Sequence, residues 1–187
     1  VEQTGDTRTY EGTAWINDAA PAIVVAGDTI QPNTYEGYKY VSTDPSVAGG
    51  QSVPTGTTIT LTYVKDDGQT QPTDYTVEYY KDGQKVTEDS YTEHSTAWIN
   101  DDPAQIAIKA DIDASADKYV GYKLGSTEPE ALPAAGEKVN SGTVVKVNYV
   151  KDDSQTQPTK YLVKHVVDGV EQTGDTRTYE GTAWIND

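Results

Sequence analysis

YTVEYYKDGQKV, residues 75–86, alternates Tyr75, Val77 and Tyr79 on one face with Thr76, Glu78 and Tyr80 on the other. A period of two is the mark of a strand with one face buried. Asp82-Gly83 then supplies the pair that a tight hairpin turn prefers, because both central residues take positive φ. Gln84 to Thr92 reads as the returning strand. Further along, Thr143 to Lys151 sets Val145, Val147 and Tyr149 against Val144, Lys146 and Asn148, and Thr58 to Lys65 keeps Ile59, Leu61 and Tyr63 in the same phase. YVGYKL (119–124) and YEGYKY (35–40) predict a shorter strand. The expected fold class is therefore mainly β.

These paired stretches belong to a repeat. YVKDDGQTQPT at 63–73 returns as YVKDDSQTQPT at 149–159, which is 86 residues later. VEQTGDTRTYEGTAWIND at 1–18 returns unchanged at 170–187, and STAWIND at 95–101 places Trp98 in register with Trp15 and Trp184. The tryptophan copies lie 83 and 86 residues apart, and recurrence at this spacing means one supersecondary unit used repeatedly. The chain accordingly divides into a first module at 1–73 that lacks its first strand, a complete module at 74–159, and the first hairpin of a third at 160–187. Two readings of this phase are open: a window on a longer array, or a molecule whose C-terminal hairpin completes the first module of the next copy. KDDxQTQPT is the polar joint between modules and favours extended backbone.

The middle of the module admits a short helix or a further strand. Asp102 before Pro103 fits a helix N-cap followed by proline at the first helical position, and Ala104 to Ala116 is alanine-rich. Its counterpart, Ala20 to Gly27, carries the β-branched Ile23, Val24 and Val25, which favour a strand.

Thirty acidic against 14 basic residues give a net charge of −16, a surface that repels nucleic acid and anionic membranes. Absence of cysteine excludes disulfides and thiolate chemistry. With no methionine or phenylalanine and 14 tyrosines, the composition suits an exported, oxidation-tolerant chain. No run reaches the length of a membrane-spanning helix.

The layout Y-x-V-x-Y-Y-x-D-G, a central GYK strand and a closing V-x-V-x-Y-V-K strand resembles the mucin-binding (MucBP-like) repeats of Gram-positive surface adhesins. Tyr75, Val77, Tyr79, Asp82, Gly83, Gly121, Tyr122, Val145, Val147 and Tyr149 carry the resemblance. It implies β-grasp, ubiquitin-like α+β modules in a secreted, wall-attached stalk that contacts host mucin or another glycoprotein. TAWIND stands outside that pattern, and the middle region is longer.

Among candidate sites, Trp15, Asn17 and Asp18, with Trp98, Asn100 and Asp101 in the second copy, join an aromatic face to polar groups, the combination that stacks on a sugar ring and binds its hydroxyls. The alternative is that Trp15, Trp98 and Trp184 anchor core or inter-module packing in modules short of large apolar residues. Asp111, Asp113 and Asp117, with Ser115 between, place oxygens at alternate positions as Ca²⁺ loops do, but Ala116 stands where the turn glycine belongs; a solvated acidic loop is the competing reading. No G-x-S-x-G elbow or metal-type histidine spacing is present, and His94 and His165 fall at different points of the module. The expected function is non-catalytic: a stalk and multivalent, low-affinity glycoprotein binder, or else a self-assembling extracellular filament.

Overall fold

The computed structural model describes residues 6–27 and 30–187. The fold is mainly β, and no α-helix occurs among the described residues. The chain divides into two compact units, the first comprising the residues up to Thr70 together with Trp98–Asn100, the second Gln71–Ala97 and Asp101–Asp187.

In the first unit β1 (Ala22–Val24) pairs antiparallel with β3 (Ser52–Pro54), placing Ile23 opposite Val53. Likewise β2 (Tyr38–Asp44) pairs with β4 (Thr60–Lys65), placing Tyr40 opposite Tyr63.

The second unit contains β5 (Thr70–Lys81) and β6 (Gln84–Trp98) apart from Thr70 and Trp98. It continues with β7 (Gln105–Ala107), β8 (Tyr122–Glu128), β9 (Lys138–Asn140) and β10 (Thr143–Lys151). Strands β6, β5, β10 and β8 form one sheet in that order. Its central pair, β5 and β10, is parallel, with Val77 opposite Val145 and Tyr79 opposite Val147, while β8 runs antiparallel to β10. β7 pairs with β9. The end of the chain forms β11 (Thr156–Val163) against β14 (Arg177–Trp184), extended by the short pair β12 (Val166–Val167) and β13 (Val170–Glu171).

The hydrophobic core gathers the alternating residues named above: Tyr75, Val77 and Tyr79 of β5 and Val145, Val147 and Tyr149 of β10 are each at most 2% exposed. Ile106, Ile108 and Ile112 close the core from the other side. They explain why the helical option fails in the middle of the module. Ile106 and Ile108 are both buried while Gln105 and Ala107 are exposed, a period-two pattern that β7 provides and that a helix, with its 3.6-residue turn, would split between opposite faces. The alanines that suggested a helix mostly lie on the exposed side.

The irregular segment after β7 covers the sheet and leaves backbone groups that no ladder can pair. Tyrosine hydroxyls meet them. The Lys109 N–H donates to the Tyr75 hydroxyl at 3.2 Å, and the Tyr149 hydroxyl donates to the Ser115 carbonyl at 2.8 Å. The Asp113 backbone hydrogen-bonds the Tyr79 hydroxyl. Phenylalanine would fill the same volume and leave these groups unpaired.

Several expected boundaries shift: β2 begins at Tyr38 and not Tyr35, β4 at Thr60 and not Thr58, and β6 runs past Thr92 to Trp98. β8 begins at Tyr122, three residues after the predicted Tyr119, because Gly121 takes φ +84° and Tyr119 to Tyr122 close a turn, the Tyr122 N–H donating to the Tyr119 carbonyl. The joint sequence is only partly a linker: Asp66 to Gln69 form a turn, but Thr70 to Thr73 already belong to β5.

Candidate functional site

The tryptophan motif builds the same site twice. In the first unit the Trp98 Nε1–H donates to the Gly37 carbonyl at 3.1 Å, and the Asn100 side-chain amide donates to the Glu36 carbonyl at 2.8 Å. The Gly37 N–H donates to the Gln69 side-chain oxygen at 2.9 Å, and the Ile99 N–H donates to the Gln69 carbonyl at 2.9 Å. Tyr38 meets the indole edge-on with centroids 5.4 Å apart, and the Lys65 ammonium lies 4.8 Å from the Trp98 ring.

In the second unit every partner recurs. Trp184 Nε1–H reaches the Gly121 carbonyl at 3.1 Å, and the Asn186 amide reaches the Val120 carbonyl at 2.7 Å. Gln155 receives the Gly121 N–H at 2.9 Å, and the Ile185 N–H bonds its carbonyl at 2.9 Å. Tyr122 is again edge-on at 5.4 Å and Lys151 again stands over the indole, at 4.7 Å. We call this arrangement the clasp.

Local sequence dictates each part. Gly37 and Gly121 are buried and sit at φ +79° and +84°, where a side chain is strained. A Cβ at Gly37 would stand 2.8 Å from the indole of Trp98, and one at Gly121 would stand 3.0 Å from that of Trp184. The glycine therefore sets both the turn and the depth to which the indole seats. Gln69 and Gln155 each bridge the turn to the carboxylate that precedes them, Asp66 at 3.0 Å and Asp152 at 3.1 Å. Hydrogen bonding holds both carboxyls below the ordinary carboxylate range, chiefly from Gln69 at Asp66 and from Ser154, then Gln155, at Asp152.

The candidate sugar-binding residues thus divide. Trp98, Asn100, Trp184 and Asn186 hold backbone of a neighbouring turn, and the Asp101 carbonyl accepts from the Gln71 side chain at 2.8 Å. Trp15, Asn17 and Asp18 are exposed, Trp15 at 71%. The Asp18 carboxylate accepts from the Ala20 N–H. No local pattern marks the clasp partner, which lies 61 residues from Trp98; the recurrence of Gly-Tyr-Lys at 37–39 and 121–123 and of Gln69 as Gln155 was the available signal.

The acidic loop residues do not converge. Asp111 accepts from the Ala135 N–H at 2.9 Å, whereas Asp113 is held by the Ser115 N–H and hydroxyl and by Lys118. Asp117 is exposed. Among the described residues no three acidic or histidine side chains gather as metal ligands would. A shallow depression lined by Pro21, Ala22, Val53 and Pro54 carries no titratable group.

No family model matches the chain, and no curated protein matches its sequence. No helix among the described residues is long and apolar enough to cross a membrane.

Proposed function

We infer that the chain is a non-catalytic repeat region of a bacterial cell-surface adhesin, secreted and attached to the cell wall. Its modules set the length of a stalk, and an exposed face binds host mucin or another glycoprotein weakly, gaining avidity from copy number. The observation that carries this reading is the clasp: one module's hairpin ends in a tryptophan that seats on a turn 61 or 63 residues earlier in the chain, twice with the same partners. A site used identically at each period serves connection, and catalysis has no use for it.

The β-grasp reading is supported by the second unit's mixed sheet, whose first and last strands pair in parallel at the centre. The segment through Ile108 and Ile112 covers the sheet where the α+β version of that fold would carry a helix.

Binding to an acidic glycoprotein runs against the chain's own charge of −16, so the adhesive face must act through neutral sugars or protein contacts. Trp15 with Asn17 and Asp18 is the exposed copy of the motif and the candidate contact. The test is binding of the chain to immobilised mucin, as free protein and displayed many to a bead. Weak binding that strengthens on the bead and falls with Trp15→Ala is expected; no binding on the bead ends the adhesive reading and leaves the stalk.

A further inference from the structure

We propose that Asp89 and Tyr119 are positioning residues of the clasp: their hydrogen bond ties the turn at 119–122 to its own module's hairpin, and the turn so held is what receives Trp184 of the next hairpin. This deepens the reading of the clasp as a connection between repeats and rests on it.

The turn has two sides. On one, the Val120 carbonyl accepts from Asn186, the Gly121 carbonyl accepts from Trp184 and from the Asp152 N–H, and the Gln155 side chain takes both the Gly121 N–H and the Tyr122 carbonyl. Tyr119 anchors the other side. Its carbonyl closes the turn by accepting the Tyr122 N–H at 3.1 Å, and its ring meets the buried Tyr149 edge-on with centroids 4.8 Å apart. Its hydroxyl donates to the Asp89 carboxylate on β6. Asp89 and Tyr119 are both half-buried, so this charge-assisted bond is partly sheltered from water.

The first unit repeats the arrangement. The Tyr35 hydroxyl donates to Asp6, the Tyr35 ring meets Tyr63 edge-on at 4.8 Å, and the Tyr35 carbonyl accepts the Tyr38 N–H at 3.1 Å. Asp6, Asp89 and Asp175 each stand nine residues before a tryptophan, Trp15, Trp98 and Trp184. Other neighbours of the tyrosine change: Lys118, whose ammonium lies 5.5 Å from the Tyr119 ring, is replaced by Thr34. What both turns share is the aspartate–tyrosine bond and the tyrosine pair behind it.

The coupling follows from the shortness of the turn. Gly121 lies two residues from Tyr119, so a turn that tilts at its anchored end carries the Gly121 carbonyl off the indole N–H. Hydrogen bonds weaken steeply as their angle closes.

Hydrogen exchange of the indole Nε1–H groups, followed by NMR on the full chain, reads each clasp separately. In the wild type those of Trp98 and Trp184 are expected to be protected. Tyr119→Phe keeps the ring on Tyr149 and removes the hydroxyl. It is expected to speed exchange at Trp184 roughly three- to tenfold, the factor that one hydrogen bond contributes, and to leave Trp98 unchanged. Tyr35→Phe is expected to do the reverse. The Val147 amide, on the central strand β10, should keep its protection in Tyr119→Phe, which separates opening of the clasp from unfolding of the sheet. Exchange at Trp184 that stays at its wild-type rate in Tyr119→Phe, or that rises only in step with Val147, overturns the proposal and leaves the clasp standing as a connection. Indole groups of Trp98 and Trp184 that exchange freely in the wild type overturn both the proposal and the reading on which it rests.

Discussion

Trp15 and Trp184 sit in identical eighteen-residue sequences and have opposite surroundings: Trp15 is 71% exposed, whereas the Trp184 Nε1–H bonds the Gly121 carbonyl at 3.1 Å. Arg177–Trp184 forms β14 against β11, while residues 8–15, with the same eight side chains, form no strand. Local propensity is equal in the two places, so the pairing partner makes the strand. Strand preference measures cross-strand packing more than any intrinsic backbone bias.

The clasp should fail at its glycine. Gly121→Ala forces a side chain into positive φ and pushes the new methyl group against Trp184 and Asn186. The expected loss is roughly 1–3 kcal/mol, read by urea denaturation, with the indole emission of Trp184 moving to longer wavelength. Gly136→Ala, at the same φ with open space around it, is the control and should cost less, its indole signal unchanged.

The tyrosine-lined core predicts an unusual penalty for phenylalanine. Tyr75→Phe leaves the Lys109 N–H without its hydroxyl acceptor and Tyr149→Phe leaves the Ser115 carbonyl without its donor. Each should lose about 1–2 kcal/mol despite preserving volume, whereas Tyr161→Phe, exposed on β11, should be neutral. Thermal or urea denaturation of the three variants decides.

Acid should loosen the Asp113 turn in a defined window. Hydrogen bonds from Ser115 and then Lys118 bring the Asp113 carboxyl down to about 2 from an ordinary 3.8. A carboxyl depressed on folding contributes stability that is fully present above 3.8 and is lost as pH falls toward 2. Asp66 and Asp152, depressed in the two clasps, change in the same direction. Unfolding midpoints measured from pH 5 downward should fall, and Asp113→Asn should flatten part of that slope. An unchanged slope in the variant would show that the turn is not responsible.

Salt should stabilise the chain. Ion pairs exposed on both sides, such as Lys65–Asp67 at 3.2 Å and Lys151–Asp153 at 3.4 Å, are worth about 0–1 kcal/mol each. Repulsion among 30 acidic residues against 14 basic ones is the larger effect, and screening relieves it. The thermal midpoint should therefore rise with NaCl from low ionic strength; a fall would mean that the ion pairs dominate.

Period-two alternation located β10 to the residue and the turn between β5 and β6, though not the start of β5 at Thr70, because one buried face imposes a pattern that no other element shares. It overran at Gly121, where Tyr119 and Val120 looked like strand but lie in the turn that precedes β8. Alanine content misled at 104–116, where three isoleucines decide the packing and the alanines do not. The candidate site was half legible. Trp98 and Trp184 were marked by repetition as anchors or ligands, but their receiving turns lie outside any local window, and only the folded chain brings Gly37 to Trp98 and Gly121 to Trp184.

The clasp also bears on how such a gene changes length. Each period, 83 or 86 residues between successive tryptophans, carries one turn that receives a tryptophan and, 61 or 63 residues later, the tryptophan that is received. Recombination between copies that gains or loses whole periods leaves every tryptophan facing a glycine, wherever within the period the crossover falls. Arrays of different length are then all equally well joined, and selection can act on reach alone.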